Sequence, residues 1–293
     1  MATLRQIRQR IRSVKNISQV TRAMEMIAAA EMRRAQQATL ASRNYSEKAR
    51  EVMQYVATEP GRSKMLHPLL EERPNVKAIA VVLYTADRGL AGAYNVNIIR
   101  KTLDFIKPLE KDGKEIRLIT VGKRGRDLMR RFGKQVVADF SDMGTRPEIA
   151  QVSALARAAL DEFLLGNADQ VHIAYTDFVN VLRQVPSVRR ILPIEQAEIK
   201  REGPPQVYLY EPNAEQILAE VLPRFIEVQI YQALLEAIAS EQAARMVAMR
   251  NATDNAKDLI ESLTLLRNKV RQASITKEIL DIVGGAEALR QAK

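Results

Sequence analysis

The sequence has no cysteine, which excludes disulfides, thiolate metal sites and cysteine nucleophiles and fits a reducing compartment. Only His67 and His172 could serve as imidazole ligands, and they lie in separate segments, so a zinc site is not expected. No apolar run approaches the roughly 20 residues that a membrane-spanning helix needs. The basic first residues also lack the apolar core of a signal peptide. These absences lead to the expectation of a soluble, cytoplasmic protein. A chain of 293 residues, 46% of them hydrophobic, is large enough for one big domain or two moderate ones.

Glycine and proline are missing from two long stretches, and there the sequence reads as helix. From Thr3 to about Ala57 neither occurs, and Thr58-Glu-Pro-Gly61 supplies the stop. Leu4, Ile7, Ile11 and Val14 form one apolar stripe. Its expected continuation is Ile17, Val20, Met24 and Ile27, with a phase slip after Val14 that resembles a stammer. Near the other end, no glycine stands between Gly203 and Gly284, so a helix is predicted from about Asn213 to Val283, bent near Pro223. Leu235, Ile238, Gln242, Arg245, Met249, Ala252, Ala256, Leu259, Leu263, Leu266, Val270 and Ala273 step by three and four residues, the rule of a left-handed coiled coil.

At 1.5 Å per residue these helices would be roughly 80 and 105 Å long, too long to be enclosed by a domain of this size. The expectation is an antiparallel pair in which Met24 lies beside Val247, between Met246 and Met249. Leu4 would then face about Arg267, and residues 271–285 would protrude as a single helix. Its apolar Ile275, Ile279, Leu280, Ile282 and Val283 would await a partner. The domains expected are an N-terminal coiled-coil helix over 1–60, a central domain over 74–195 and a C-terminal coiled-coil helix over 212–286.

The middle of the chain has a different texture. Val76–Thr85, Glu115–Val121 and Val171–Tyr175 are β-branched apolar runs typical of buried parallel strands. Helical stretches at about 93–106, 123–132 and 147–164 alternate with them, which implies an open, Rossmann-like α/β sheet. Val179–Ile194 adds a strand or hairpin edge.

Little here points to chemistry of the chain's own. T-A-D-R-G-L-A-G-A-Y-N, Thr85–Asn95, follows a strand and opens a helix, as phosphate loops do, but it matches neither common fingerprint. A structural turn is the favoured reading over a nucleotide site. V-G-K-R-G-R, Val121–Arg126, reads as a strand-to-helix turn with a solvated basic face. No serine, histidine and carboxylate set is visible. Of the formal charge of +10, residues 1–50 hold a surplus of eight, with eleven Lys plus Arg against three Glu. That surplus calls for an acidic partner surface or nucleic acid, and an RNA-binding coiled-coil arm and a nucleotide-dependent α/β enzyme stay open as alternatives.

Five segments carry a resemblance. They are I-R-S-V-K-N-I-S-Q-V-T-R-A-M-E-M-I-A-A-A (Ile11–Ala30), the Thr85–Asn95 turn, Y-L-Y-E-P (Tyr208–Pro212), S-E-Q-A-A-R-M-V-A-M-R-N-A-T-D-N-A (Ser240–Ala256) and N-K-V-R-Q-A-S-I-T-K-E-I-L-D-I-V-G-G-A (Asn268–Ala286). In this order they resemble the gamma subunit of F-type ATP synthases from end to end. Ala91 stands where many members have Cys, Ala93 where Gly is common, and Lys15, Ile17 and Ser18 vary the first motif. The cysteine-bearing regulatory insert of chloroplast members has no counterpart, so thiol control is not expected.

The resemblance implies a non-catalytic rotor shaft without a cofactor or metal. Its partners would be a ring of alpha and beta subunits, the epsilon subunit and the membrane c-ring, with no nucleic acid. It would sit peripherally at the cytoplasmic face of the inner (plasma) membrane. By motif, Arg271 and Gln272 look like the polar pair that meets a loop of beta, and Met24 like the neck residue facing beta's acidic lever region. Tyr208 and Glu211 look like foot residues facing the membrane ring. Arg22, Arg33 and Arg34 are weaker candidates for steering toward acidic beta surfaces, inferred from charge.

Overall fold

With neither glycine nor proline to interrupt it, the first stretch folds as one helix, α1 (Leu4–Ala57). The computed structural model describes residues 3–57, 67–194 and 214–291, and side chains over 3–41, 67–194 and 219–286. After α1 come β1 (Ala78–Tyr84), α2 (Tyr94–Lys111), β2 (Glu115–Val121), α3 (Lys123–Arg131), β3 (Val136–Phe140) and α4 (Ile149–Leu164). They are followed by β4 (Gln170–Phe178), β5 (Gln184–Leu192) and α5 (Ala214–Gln291). Helix α5 runs through Pro223 and past Gly284 and Gly285, beyond the end expected at Val283. Two compact units result, one of residues 1–27 with 246–293 and one of residues 28–245.

In the larger unit the five strands pair in the order β3-β2-β1-β4-β5. The first four are parallel, and β5 runs antiparallel to β4 as the edge expected from Val179–Ile194. Strand β3 escaped the sequence reading because it is short and only half-buried, so it lacks the apolar run that marks β1 and β2. One face of the sheet is covered by α2 and α3, through Ile98, Ile99, Ile106 and Met129. The other is covered by α4 and by the first half of α5, through Leu155, Phe163, Phe225, Ile226, Ile230 and Leu234. The Tyr84 hydroxyl donates to the carbonyl of Ile230 (3.2 Å) and the Ser240 hydroxyl to that of Thr176 (2.9 Å), which fixes α5 against the sheet.

The smaller unit is a helix pair. On α1, Leu4, Ile7, Ile11, Val14, Ser18, Thr21 and Glu25 are shielded and step by three and four without a break. The expected stammer is therefore absent: Ile17, Val20 and Ile27 are 55%, 59% and 62% exposed. Small hydroxyl residues occupy the seam because their polar atoms are satisfied there. The Thr21 and Thr253 hydroxyls lie 2.7 Å apart, and the carbonyls of Ser18 and Met249 stand within reach of them. The seam of α5 follows Met246, Met249, Thr253, Ala256, Ile260, Leu263, Arg267 and Val270. Alternate positions are thus displaced by one from the expected set, which leaves Leu259 and Leu266 outside. A one-residue step turns a helix face by about 100°, so the buried hydroxyl pair decides which apolar side chains face outward.

Pairing of Thr21 with Thr253, flanked by Arg250 donating to Glu25 at 2.9 Å, sets Met24 level with Arg250 rather than Val247. The side-chain pairing therefore moves the register by most of a helical turn from the expected one. Because the chain has no cysteine of its own, Thr21→Cys with Thr253→Cys should form a crosslink on mild oxidation, visible as a mobility shift. Met24→Cys with Val247→Cys should react more slowly; the reverse order would refute this register.

On β4, His172 is buried against the Phe105 ring, with centroids 4.9 Å apart. Burial, helped by the nearby Arg190 charge, pushes its pKa down from 6.5 to about 4. The folded state therefore holds the neutral ring, and its stabilisation is complete above pH 6.5 and is lost as pH falls toward 4. A difference of this size corresponds to about 3 kcal/mol. Urea unfolding should show that acid loss, and His172→Leu should flatten the slope across the same window. An unchanged slope in the variant would contradict this assignment.

Candidate functional site

The turn between β1 and α2 tests whether the chain could carry a nucleotide. Thr85 closes the end of β1, its hydroxyl donating toward the carbonyls of Val121 and Gly122 and accepting from the Gly125 N–H at 2.8 Å. Gly122 has φ +91°, and a Cβ there would stand 2.1 Å from the Thr85 carbonyl oxygen, so only glycine fits. Asp87 supplies the anion itself. Its carboxylate accepts from the N–H of Lys123 at the start of α3 and from that of Asp142, both at 3.1 Å. Asn95 accepts from the N–H of Ala86 at 2.9 Å.

Asp87 thus caps the start of α3, where the second glycine-bearing stretch would otherwise offer its backbone donors to an anion. The cavity beside them, lined among others by Thr85, Tyr94, Gly122 and Glu241, measures about 30 Å³, room for a water or two and far too little for a nucleotide. The two glycine-bearing stretches form one joint, in which Thr85 and Asp87 lock Gly122, Lys123 and Gly125 in place.

The same turn grips α5. Ala86, Ala91 and Tyr94 form an apolar cluster against Ala244. Arg245 pairs with Glu241 at 2.7 Å and donates to the Gly89 carbonyl at 3.4 Å. Desolvation pushes the Glu241 carboxyl up, and the Arg245 charge offsets this only in part. Glu241 was missed in the sequence, where only Gln242 and Arg245 stood out as polar seam positions. Its i,i+4 spacing to Arg245 was the available signal.

The residues singled out for partner contacts do not assemble into one site. Met24 is half-buried on α1 in the helix pair, and Arg22 is exposed there. Arg271 and Gln272 are exposed on α5, where the Gln272 carbonyl accepts from the Thr276 hydroxyl at 3.0 Å. In the larger unit, Arg33 is exposed, while Arg34 is partly neutralised by Glu31 at 2.7 Å. Glu31 also holds Arg146. Tyr208 and Glu211 lie outside the described residues. Ile275, Ile279, Leu280, Ile282 and Val283 are 48–72% exposed, as the protruding segment requires. No group of side chains that could hold a metal ion occurs among the described residues.

The sequence model of the family described as ATP synthase matches residues 3–289. The ATP synthase gamma chain of Dehalococcoides mccartyi (strain CBDB1) is 50% identical over 289 residues, covering 99% of this chain and 100% of its own. That of Roseiflexus castenholzii is 46% identical over 293 residues, with the same coverage. A chain in the central stalk and c-ring structure of the Tetrahymena thermophila mitochondrial ATP synthase shares 25% identity with a TM-score of 0.62, over 80% of this chain and 99% of that one. A chain of the Euglena gracilis mitochondrial enzyme, in a structure of OSCP, F1 and c-ring, shares the fold at a TM-score of 0.66 and 20% identity, over 99% and 95% of the two chains. These similarities favour neither an RNA-binding arm nor a nucleotide-dependent enzyme. Paired long helices, a sheet whose glycine turn is sealed by Asp87, and likeness along the whole length agree: the chain belongs to the ATP synthase gamma chain family.

Proposed function

We propose that this chain is the central-stalk rotor subunit of an F-type ATP synthase, coupling rotation of the membrane ring to ATP synthesis, or to hydrolysis in reverse. Its own role is non-catalytic. The helix pair is the part that sits within the ring of alpha and beta subunits. The sheet-bearing unit stands on the c-ring beside epsilon, peripheral to the membrane and at its cytoplasmic face. The observation that carries this reading is the unbroken seam of Thr21, Thr253 and their neighbours, beyond which Ile275 to Val283 stand uncovered among the described residues.

The seam leaves Ile17, Val20 and Ile27 outward on α1 and Leu259, Leu265 and Leu266 outward on α5. The sides of the pair therefore differ. A shaft of this kind works by population shift: each face must favour one conformation of a surrounding beta subunit over the others, and equal faces would couple nothing. Met24, Arg271 and Gln272 are the residues we assign to contacts with that ring, and Tyr208 and Glu211 those we assign to the membrane ring.

Removing residues from Arg271 onward tests the assignment. Loss of the exposed apolar tip should weaken assembly with the alpha and beta subunits at least about tenfold, and ATP-driven ion pumping by reconstituted complexes should fall with it. The unfolding transition of the sheet-bearing unit should stay where it is. Full pumping by the truncated chain would overturn the rotor assignment, and collapse of the sheet-bearing unit would overturn the protruding segment.

A further inference from the structure

Three helix-to-strand turns share one edge of the sheet, at the N-terminal ends of the parallel strands. Helix α2 ends at Lys111 and turns into β2, α3 ends at Arg131 and turns into β3, and α4 ends at Leu164 and turns into β4. Each turn passes through a left-handed glycine, Gly113, Gly133 or Gly166. They lie together because the strand starts do. Ala78 is level with Glu115 and Ile79 with Gln170. Lys134 bonds Glu110 at 2.6 Å, joining the ends of α2 and α3, while Arg117 on β2 bonds Glu162 on α4. At about 4.8 Å per strand, the edge from β3 to β4 is roughly 15 Å wide.

This edge is basic and carries apolar side chains at its rim. Lys107, Lys111, Lys114, Arg130 and Arg131 have no ion pair among the described residues; of the acids on the same helices and turns, Asp104, Asp112 and Asp161 are likewise unpaired, and Asp127, bound to Arg126, also lies near Arg130 and Arg131. Glu110 and Asp169 are matched by Lys134 and Arg73, while Glu115 and Glu162 share Arg117. Phe132, Leu164 and Leu165 project between the charges, 51%, 46% and 74% exposed. A soluble face gains nothing by exposing large apolar side chains at two of its three turns. An interfacial one does, because the apolar groups enter the headgroup boundary while the cations stay among the phosphates.

We propose that this edge is a contact surface for a bilayer with anionic headgroups. The direction of α5 supports it. Arg245 meets the β1–α2 turn at the opposite, C-terminal edge of the strands, so the earlier part of the helix, from Ala214, leads back toward the basic edge. That this end faces the membrane rests on the rotor reading; the charge and apolar pattern does not. The contact is weak and electrostatic, suited to sliding rather than anchoring, and it declines with salt over the Debye length.

The test uses the full chain, which contains no tryptophan, so F132W places a single reporter at the rim. With phosphatidylcholine vesicles containing phosphatidylglycerol, the indole emission of the F132W variant should shift to the blue, and with phosphatidylcholine alone it should not. K111Q/R130Q/R131Q in the F132W background should weaken binding on the order of 100-fold at low salt. R5Q/R8Q/R10Q, which removes equal charge from α1, should have a much smaller effect. Unshifted emission, equal losses in the two triple variants, or a shift only with purified c-ring in detergent would overturn the proposal. The vesicle assay needs no other subunit, so its failure is separate from failure of the rotor reading, which appears in assembly and pumping.

Discussion

A helix of 54 residues and another of 78 present apolar stripes that a sheet of five short strands can cover only in part. Whatever lies beyond the sheet must be covered by the other helix or by another protein. In this chain the first solution is used for the stripe that faces the seam, and the second is left for the side chains that face away. The buried Thr21–Thr253 contact makes the division. Polar atoms without water need partners, and these two hydroxyls find each other in only one register. That register turns Ile17, Val20, Leu259 and Leu266 outward. A core built for stability alone would have buried them.

The same economy governs the sheet-bearing unit. Its glycine turn sits where an α/β sheet usually receives a ligand, at the carboxyl ends of the strands. Asp87 fills the position an anion would take, Thr85 ties two turns together, and Tyr94 and Arg245 hold α5 against the result. The turn thereby connects the sheet to the long helix. Desolvated Glu241, held next to Arg245, belongs to this joint.

Much of this arrangement was legible in the residues. Unbroken helix formers gave α1 and α5, β-branched runs gave β1, β2 and β4, and the exposed Ile275 to Val283 followed from the mismatch in helix lengths. The failures share a cause. The reading by apolar period preferred Ile17 and Val20 to Ser18 and Thr21, because hydrophobicity alone cannot foresee that two hydroxyls will satisfy each other across a seam. It also placed Leu259 and Leu266 inside, one position from Ile260 and Arg267, since a wide apolar face does not say where its centre lies. Strand β3 was invisible for want of a continuous apolar run. Asp87 was passed over because its partners, Lys123 and Asp142, are distant in sequence, and spacing gives no sign of a tertiary cap. The residues assigned to partners, Met24, Arg271 and Gln272, came from the family resemblance, and their geometry in the isolated chain is that of ordinary helix positions.

As a rotor, the chain must turn as a unit inside a hexamer that hydrolyses ATP. Leu182 is 87% exposed and distant in sequence from the seam, so a bead attached through Leu182→Cys would report motion in single complexes fixed by their alpha and beta subunits. Stepwise rotation in one direction, stopping when ATP is withdrawn, is the predicted result. A bead that stays still while the same complexes hydrolyse ATP would contradict the rotor.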